Sequence, residues 1–592
     1  MENYQAPVED MLFALKNLAK IDEFAAKTKN DDVSSENVKV ILEEAGKFAS
    51  EKLDPINQKG DLEGIKLENG VVRMPAYFIQ AYNDFIKNGW FSVLGEKVYG
   101  GQDLPWSVIV AINEIWESAN MSFAVNNLLT QGAIELLEEH GTLEQKEKYL
   151  PKLVSGEWSG TMNLTEPHAG SDLSLLKTKA EKKNGKYFVK GTKIYITHGD
   201  QDMSENIIHA VLARLPDAPK GVKGISLFLV PKILIDNDGK QKHNDIKVVS
   251  VEHKLGHNAS PTCVLSFGED YGAEAEMIGE ANQGLKAMFT MMNNARLNVG
   301  VQGIAISERS YQKALNFSRN RKQGISLSNA NGKKEAVDII QHPDVKRMLM
   351  EMRSQTEAMR GLAIVVGEMI DYHKKFSNTL EGKNNLMLSN LLTPVIKSWC
   401  TDQSVYLTSL GIQVHGGMGF IEDTGAAQYF RDSRILPIYE GTNGIQALDL
   451  LKRKIFQENG GTFERIIERI ENTLKKGFSL EDEVITEMCK KLEFTKDKLK
   501  ESCYWLKKTY LENPEKAASG ATPFLNMFGW TLGGWIMVKS ATEANILLRN
   551  DSSEFLKEKI HTATFFCDTY LPIAASLEST ITSSYKSLSI IN

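Results

Sequence analysis

The chain has 592 residues, of which 42% are hydrophobic and 24% are charged, and its formal net charge is −7. This length exceeds what one hydrophobic core serves, so we expect several domains, and the ordinary composition excludes a mostly disordered chain. A net negative chain is poorly suited to neutralising the phosphates of a nucleic acid, so no nucleic-acid partner is expected.

The cysteines and the apolar segments bear on the compartment. The five cysteines lie far apart and never form a CxxC pair, so we expect no disulfide framework, no metal site and a reducing compartment. The first 19 residues lack the basic and apolar regions of a signal peptide, and we therefore expect a cytoplasmic protein. The most apolar late stretch, residues 523–538, falls short of the roughly 20 residues that a membrane span needs, so no transmembrane span is expected.

The periodicity of apolar residues changes along the chain and predicts its organisation. After an N-terminal extension over residues 1–37, helical spacing over residues 38–156 predicts an N-terminal helical domain. Short segments rich in β-branched and aromatic residues predict a middle β domain over residues 157–275. Helical periodicity returns over residues 276–456, where long helices should pack as a bundle, and residues 457–592 form an additional C-terminal helical domain. The predicted fold class is α+β, mainly α.

Two segments of the β domain carry polar or aromatic side chains that suit a ligand. Residues 161–172, TMNLTEPHAGSD, place hydroxyls and backbone N–H groups on one loop that enters the domain, although a plain turn without a ligand is the stronger interpretation of this segment alone. Residues 193–199, KIYITHG, read as an alternating strand that ends at Thr197. Its Tyr195 could lie against a flat ring or simply pack, and packing is favoured from the segment alone.

Two further segments lie at predicted helix ends. Residues 411–420, GIQVHGGMGF, close a helix with glycines, which permit close approach of a ligand to the backbone or merely cap the helix. Arg321 lies at the end of a long helix, where a cation complements the helix dipole whether or not it also holds a phosphate.

The segment 431–446, RDSRILPIYEGTNGIQ, contains the best candidate for a catalytic group. Its Glu440 lies in a loop between the apolar Ile438 and a Gly-Thr-Asn-Gly turn. A carboxylate beside apolar groups can have a raised pKa, which a general base for a weakly acidic carbon needs. The alternative, that Glu440 is an N-terminal cap of the following helix, is equally supported by this segment alone.

Taken together and in this order, these segments resemble the acyl-CoA dehydrogenase family over roughly residues 38–455. The family's fold consists of an N-terminal helical domain, a middle β domain and a C-terminal four-helix bundle, which agrees with the periodicity. The N-terminal extension and the long C-terminal domain are similar to those of a larger bacterial subgroup of this family. The sequence departs from the family's pattern at His168 and at Gly444.

The resemblance implies FAD as the cofactor and assigns its contacts in the β domain. Thr165 is expected to hydrogen-bond the isoalloxazine ring, with Leu164 at the edge of the ring. Ser171 is expected near both the flavin and CoA. The strand resembles the family's (W/Y)IT motif, which places Tyr195 against the ring and Thr197 at flavin N5.

The resemblance also implies that two subunits share each FAD. Arg321 matches the family's arginine that holds the FAD pyrophosphate across a subunit interface, and Gln413, Gly416 and Gly417 match the loop on the adenine side. Thr442 is expected to contact the flavin. The implied assembly is a homo-oligomer, with a dimer favoured and a tetramer possible.

The family's YEGT motif makes Glu440 the catalytic base. Tyr439 and Gly441 are expected to contact the substrate, and Arg296 matches an arginine near the base and the thioester, unless it is a buried helix arginine paired with a carboxylate. The family branch that carries its base on the preceding helix would need a glutamate near Ala295, and none is there.

The implied reaction is the α,β-dehydrogenation of acyl-CoA thioesters, with electrons passed to an electron-transfer flavoprotein. One alternative is an acyl-CoA oxidase, in which oxygen reoxidises the same flavin. Another is the DNA-associated branch of the superfamily, but residues 451–592 carry 20 Lys and Arg against 19 Asp and Glu, an excess of only one positive charge. A third is that the C-terminal domain is an interaction or membrane-surface module; its tryptophans at helical spacing instead favour a core.

Overall fold

The computed structural model describes residues 3–236, 238–327, 335–457, 461–583, 585–588 and 590–591. The chain divides into two compact units. The first comprises residues 1–47, 105–118 and 296–592, and the second comprises residues 48–104 and 119–295. Within the described ranges, the helices are all too short or too polar to cross a membrane.

Helices make up most of the chain, and a β-sheet occupies its middle part, so the predicted mainly α class with a β domain is confirmed. The α-helices are α1 Val8–Phe13, α2 Ile21–Thr28, α3 Ser35–Phe48, α4 Asp54–Glu63, α5 Ala76–Lys87, α6 Trp106–His140, α7 Leu143–Ser155, α8 Gly284–Asn320, α9 Pro343–Phe376, α10 Leu380–His415, α11 Ala426–Ser433, α12 Asn443–Asp449, α13 Gly461–Phe478, α14 Glu483–Glu512, α15 Pro514–Ser519, α16 Ala521–Leu548, α17 Glu554–Ser583 and α18 Tyr585–Leu588.

The strands of the second unit form one large sheet and two short hairpins. The sheet has the order β10-β11-β5-β12-β7-β6-β3, with β4 paired to β5, and only its β3–β6 pair is parallel among the described strands. The strands are β1 Lys66–Glu68, β2 Val71–Arg73, β3 Trp158–Asn163, β4 Lys179–Lys183, β5 Lys186–Thr197, β6 Asn206–Ala213, β7 Ser226–Pro231, β8 Ile233–Ile235, β9 Gln241–His243, β10 Ile246–Val251, β11 Thr262–Phe267 and β12 Ala273–Ile278.

The segment 161–172 is not entirely the loop that the sequence predicted. Its first three residues belong to β3, which is buried along its whole length and pairs with β6. The hydroxyl of Thr161 lies 2.7 Å from His209 Nδ1, so this threonine satisfies a buried polar group inside the sheet rather than facing a ligand. The loop begins only at Leu164.

In the first unit, glycines let α8 and α10 approach closely. A Cβ atom at Gly303 would lie 2.7 Å from the Cys400 carbonyl oxygen, and one at Gly300 would lie 2.4 Å from Ile396 Cγ2. Such distances leave no room for a side chain, so the two helix backbones are nearly in contact. This close packing brings together the α8 residue Arg296 and the α10 residue Lys397, which frame the candidate site.

The C-terminal helices pack onto the same bundle. A Cβ atom at Gly529 of α16 would lie 2.4 Å from the Trp399 ring on α10, and the ring centroids of Trp399 and Trp530 are 5.4 Å apart. Trp530 and Trp535 are both buried. The aromatic surface of these two residues belongs to the core, as helical spacing predicted, whereas Trp505 on α14 is only half-buried.

A buried ionic cluster crosses the first unit. The Arg360 guanidinium on α9 donates to Glu114 Oε1 at 2.9 Å, to Glu308 Oε2 at 2.7 Å and to Asp10 Oδ2 at 2.7 Å. Asp10 also accepts a hydrogen bond of 2.6 Å from Lys559 Nζ on α17. Arg360 on α9 and Lys559 on α17 thus both bind the carboxylate of Asp10, near the start of the chain.

Candidate active site

The loop that precedes α12 places Glu440 in an uncommon backbone conformation. Glu440 has a φ of +56° and Gly441 a φ of +85°. The left-handed region is costly for a residue with a Cβ atom, and it persists where the surroundings fix the backbone, commonly at functional sites. The N-cap of α12 is Thr442, whose hydroxyl accepts a hydrogen bond of 3.4 Å from Ile445 N. The alternative in which Glu440 caps this helix is therefore wrong.

Two side chains, those of Lys397 and Gln446, donate hydrogen bonds to this loop. Lys397 Nζ donates to the Gly441 carbonyl oxygen at 2.9 Å and to Asn443 Oδ1 at 2.8 Å. Gln446 Nε2 donates to the Glu440 carbonyl oxygen at 3.0 Å. The carbonyl oxygens of Glu440 and Gly441 therefore both accept hydrogen bonds from buried side chains, and these bonds stabilise the left-handed conformation.

The environment of the Glu440 carboxyl favours a base of intermediate strength. Burial raises its pKa above the ordinary value, and the positive charges of Arg296 and then Lys397 oppose this rise. The raised pKa makes the Glu440 carboxylate a stronger base than an exposed glutamate, and the two cations favour its ionised form.

Arg296 lies at the start of the part of α8 that belongs to the first unit, and it is buried. Burial lowers its pKa, whereas the nearby carboxylates of Asp449 and Glu440 raise it. A Cβ atom built on Gly441 would lie 3.8 Å from Arg296 Nη2. Arg296 therefore lies close to two carboxylates, those of Glu440 and Asp449. The sequence offered two interpretations, an arginine near the base and a buried arginine paired with a carboxylate, and the structure is compatible with both at once.

Two buried polar side chains, Gln302 and Glu117, lie near Tyr439. The Tyr439 hydroxyl donates a hydrogen bond to Gln302 Oε1. In the part of the chain that the structure describes, Gln302 Nε2 and Glu117 Oε2 are buried and have no hydrogen-bond partner. Burial raises the pKa of Glu117 well above its ordinary value, and the adjacent Gln302 side chain opposes this only in part. Burial therefore favours the protonated form of the Glu117 carboxyl.

The raised pKa of Glu117 predicts a pH-dependent cost in stability. Above about pH 4.3 the unfolded carboxyl releases its proton while the folded one keeps it, so the free energy of unfolding falls as pH rises, by up to about 1.4 kcal/mol per pH unit. Because Gln does not titrate, the Glu117→Gln variant should gain stability relative to wild type as pH rises from 5.5 to 8. Urea unfolding at both pH values measures this.

The exposed Glu51→Gln is the control for this experiment, and it should leave the pH dependence unchanged. An equal effect of Glu117→Gln at both pH values would contradict a raised pKa of Glu117.

The predicted flavin-contacting residues of the β domain lie together in the second unit. The loop after β3 is tied to β5, because Ile194 N donates to the Thr165 carbonyl oxygen at 2.9 Å and Lys193 Nζ donates to the Leu164 carbonyl oxygen at 2.9 Å. Leu164 and Thr165 therefore lie beside the strand that carries Tyr195 and Thr197, and their contact with a flavin stays a prediction.

Tyr195 does not pack into the core. Its side chain is 61% exposed, and its φ is +59°, which is uncommon for an aromatic residue. An exposed aromatic ring held in a strained backbone suits contact with a flat ligand better than packing. Thr197, at the end of β5, pairs with Thr262 of β11.

Ser171 and His168 lie on the exposed part of the loop after β3. The Ser171 side chain is exposed. His168 Nε2 lies 3.1 Å from the Leu175 carbonyl oxygen, so the histidine that departs from the family's pattern serves the loop's own conformation. Ser171 thus remains available to a ligand.

The predicted adenine-side residues lie in the first unit, at the ends of α8 and α10. Arg321 follows the last residue of α8, and both Arg321 and Gln413 are exposed. Gly416 caps α10 with a φ of +59°. A Cβ atom at Gly416 or Gly417 would meet nothing within 4 Å, so this stretch of backbone is open to a ligand. Gly444, the other departure from the family's pattern, is likewise exposed.

Sequence reasoning missed Lys397, Glu117 and Gln302. Lys397 is the only charged residue in the apolar segment LLTPVIKSWC, and a charge in such a segment was a usable signal, because a buried lysine needs acceptors. Glu117 and Gln302 stand in helices with other polar residues and gave no comparable signal.

The chain matches four models of the acyl-CoA dehydrogenase family. They are the N-terminal domain over residues 35–157, the middle domain over residues 161–269, the C-terminal domain over residues 282–455 and the "Acetyl-CoA dehydrogenase C-terminal like" model over residues 466–590. Together these models match well over half of the chain.

Two curated relatives resemble the chain along nearly its whole length. A 3-methylmercaptopropionyl-CoA dehydrogenase of Ruegeria pomeroyi is 43% identical, and the match covers 99% of each chain. The broad-specificity linear acyl-CoA dehydrogenase FadE5 of Mycobacterium tuberculosis is 30% identical, and the match covers 98% of each.

Two solved structures share the fold at low sequence identity. ACDH-11 of Caenorhabditis elegans, in complex with C11-CoA, superposes with a TM-score of 0.76 at 20% identity, covering 96% of this chain and 92% of that one. An acyl-CoA dehydrogenase of Bacillus anthracis, complexed with FAD, superposes with a TM-score of 0.74 at 20% identity, covering 93% and 88%. With the family models and the relatives, these findings show that the chain belongs to the acyl-CoA dehydrogenase family.

Proposed function

We propose that this protein desaturates acyl-CoA thioesters between Cα and Cβ to trans-2-enoyl-CoA, with Glu440 as the base that removes the α-proton. As a member of its family the protein is an FAD-dependent oxidoreductase that acts on CH–CH groups. The assignment of the base and of the contacting residues is the part that experiment must test.

The observation that carries the proposal is the setting of Glu440. A carboxylate on a strained loop, with its pKa raised by burial and opposed by Arg296 and Lys397, suits the removal of a weakly acidic proton. The backbone N–H groups beside Glu440 are the donors that we expect to polarise the thioester carbonyl, because negative charge develops there as the α-proton leaves.

The residues present fit the cofactor of the family. Bound FAD supplies the acceptor for the hydride that leaves Cβ. The exposed ring of Tyr195 offers a face for a flat heterocycle, and Leu164, Thr165, Ser171 and Thr197 supply further contacts.

The open backbone at Gly416 and Gly417 admits a polar ligand, and with Gln413 and Arg321 it suits the adenine and pyrophosphate. Thr442, Tyr439 and Gly441 complete the proposed contacts.

The remaining parts of the proposal concern the surroundings of the reaction. We infer that electrons pass to an electron-transfer flavoprotein, that the reaction belongs to fatty-acid β-oxidation or a related acyl-CoA catabolism, and that the protein works as a cytoplasmic homodimer. Its five cysteines are all free and buried thiols, which suits a reducing compartment. The acyl group is to be sought among linear chains and 3-methylmercaptopropionyl-CoA, the groups named for the two relatives.

Anaerobic titration of the purified holoenzyme tests this proposal. Butyryl-, octanoyl-, palmitoyl- and 3-methylmercaptopropionyl-CoA are added in turn, and bleaching of the flavin absorbance is followed. At least one thioester should bleach the flavin, and the order of the rates identifies the preferred acyl group. If the protein binds FAD and none of these thioesters reduces it, the proposed function is wrong. Rapid reoxidation of the bleached enzyme by air would instead support an oxidase.

A further inference from the structure

Lys397 is a fully buried lysine at the middle of α10, and its ammonium group points to the catalytic loop. Nζ donates to the carbonyl oxygen of Gly441 at 2.9 Å and to Asn443 Oδ1 at 2.8 Å. A buried ammonium is costly unless acceptors surround it, so a lysine here needs a reason other than packing. Both of its acceptors belong to the four residues that begin at Glu440.

Asn443 extends this contact back to α10. Its Nδ2 donates to Asp402 Oδ1 at 2.7 Å and to Thr401 Oγ1 at 3.0 Å, while its Oδ1 accepts from Lys397. The asparagine side chain is thus fixed at both ends by one helix, and Lys397 adds the bond to the backbone at Gly441. The left-handed φ of Glu440 persists only where neighbours enforce it, and Lys397 is the charged member of that group.

The charge of Lys397 also interacts with the charge of Glu440, the proposed base. The positive charge of Lys397 lowers the pKa of Glu440, and burial lowers the pKa of Lys397 itself to about 7 while Glu440 and Asp402 raise it. Because each charge shifts the pKa of the other group, removal of one charge moves the pKa of the group that remains.

We propose that Lys397 is a positioning residue for the reaction, which holds the strained loop through Gly441 and Asn443 and supplies a positive charge that favours the carboxylate form of Glu440. This inference rests on the proposed function, because it concerns the state of the proposed base. Lys397 acts through Glu440 and has no role in bond making or breaking.

Other charged groups lie near Lys397 and Glu440, and they determine how far the removal of Lys397 shifts the pKa of Glu440. Arg296 on α8 also favours the Glu440 carboxylate, and its own charge neighbours are Asp449 and Arg453. Asp402 on α10 faces Lys397, and Arg434 lies near Asp402. On the other side, Tyr439 lies near both Glu440 and Glu117. Loss of Lys397 leaves Arg296 as the single cation that acts directly on Glu440 among the described residues.

Two substitutions separate the charge of Lys397 from its hydrogen bonds. Lys397→Gln removes the charge and keeps a donor, whereas Lys397→Met removes both. The rate of anaerobic flavin bleaching by the best acyl-CoA is measured against pH, together with FAD content and thermal melting. Without the positive charge the pKa of Glu440 rises, so the acidic limb of the profile should move to higher pH by about one unit in both variants. Lys397→Met should also lower the limiting rate by about tenfold or more, because the loop loses its hold.

Lys383→Met is the matched control, since this lysine is exposed on the same helix; it should leave both the profile and the rate unchanged. A crystal structure of Lys397→Met should show Glu440 out of the left-handed region or disordered, which is a readout independent of turnover. If the acidic limb of Lys397→Gln stays in place or moves to lower pH while FAD content and melting are normal, the proposal is wrong. A wild-type enzyme that no thioester reduces would instead refute the proposed function.

Discussion

Replacing Glu440 by Gln is expected to lower the rate of flavin reduction by acyl-CoA by about 10³-fold or more while FAD binding remains. The amide has nearly the shape of the carboxylate, so the loop held by Lys397 and Gln446 should keep its conformation. It lacks the basic lone pair that accepts the α-proton, so the chemical step loses its base. Anaerobic stopped-flow bleaching, with FAD content and acyl-CoA binding measured separately, gives the result.

Glu481→Gln is a close control for this variant. Glu481 is an exposed loop glutamate with a φ of +57°, so the same substitution is made on nearly the same backbone conformation away from the site. It should leave the bleaching rate unchanged. A Glu440→Gln enzyme that is reduced at the wild-type rate would remove Glu440 from the catalytic role.

The second large effect is expected in stability, from Arg360→Met. The substitution leaves the buried carboxylates of Glu114 and Glu308 without their cation, while Asp10 keeps its bond to Lys559, and breaking a buried ion pair in this way costs about 3–5 kcal/mol. Burial already raises the pKa of Glu114 to about 7 against the opposing effect of Arg360, so without the arginine this group takes up a proton still more readily. Protonation relieves the unpaired charge, and the loss should be smaller at pH 5.5 than at pH 8.

Thermal melting and urea unfolding at the two pH values measure this effect. Arg549→Met, on the exposed end of α16, removes an arginine that has no such buried environment, and its effect should stay below about 1 kcal/mol. Equal losses for the two variants would show that the buried cluster contributes nothing beyond a surface charge.

Most of the fold class followed from periodicity, because it depends on burial patterns that the sequence carries locally. The segments KYFVKGTKIYIT and GISLFLVP became β5 and β7. The sequence did not reveal β3, whose residues WSGTMN include small and polar types that resemble a turn and become a strand only by pairing with β6. Tertiary pairing overrode the local signal there. The domain boundaries and the individual roles of the site residues remain predictions.

The candidate site was predictable where a short motif carries it and not where distant helices build it. Glu440, Tyr195 and the Gly416–Gly417 turn stand in recognisable segments. The partners that set the properties of Glu440 come from residues 296 and 397, which are far from it in sequence and meet it only through packing of α8 and α10. Arg296 was assigned only through the family resemblance, and the charge of Lys397 in an apolar segment indicated a buried lysine without indicating its partner.

The bond between Asp10 and Lys559 has a consequence for synthesis of the chain, because the two residues are 549 positions apart. At about 5–20 residues per second, a ribosome needs roughly 30 to 110 s to travel between them. During that time Phe13, whose ring packs against Phe555 of α17, has no completed site to occupy. A nascent chain of this kind offers chaperones an early and lasting target, and we expect truncated chains that end before α17 to be retained by them.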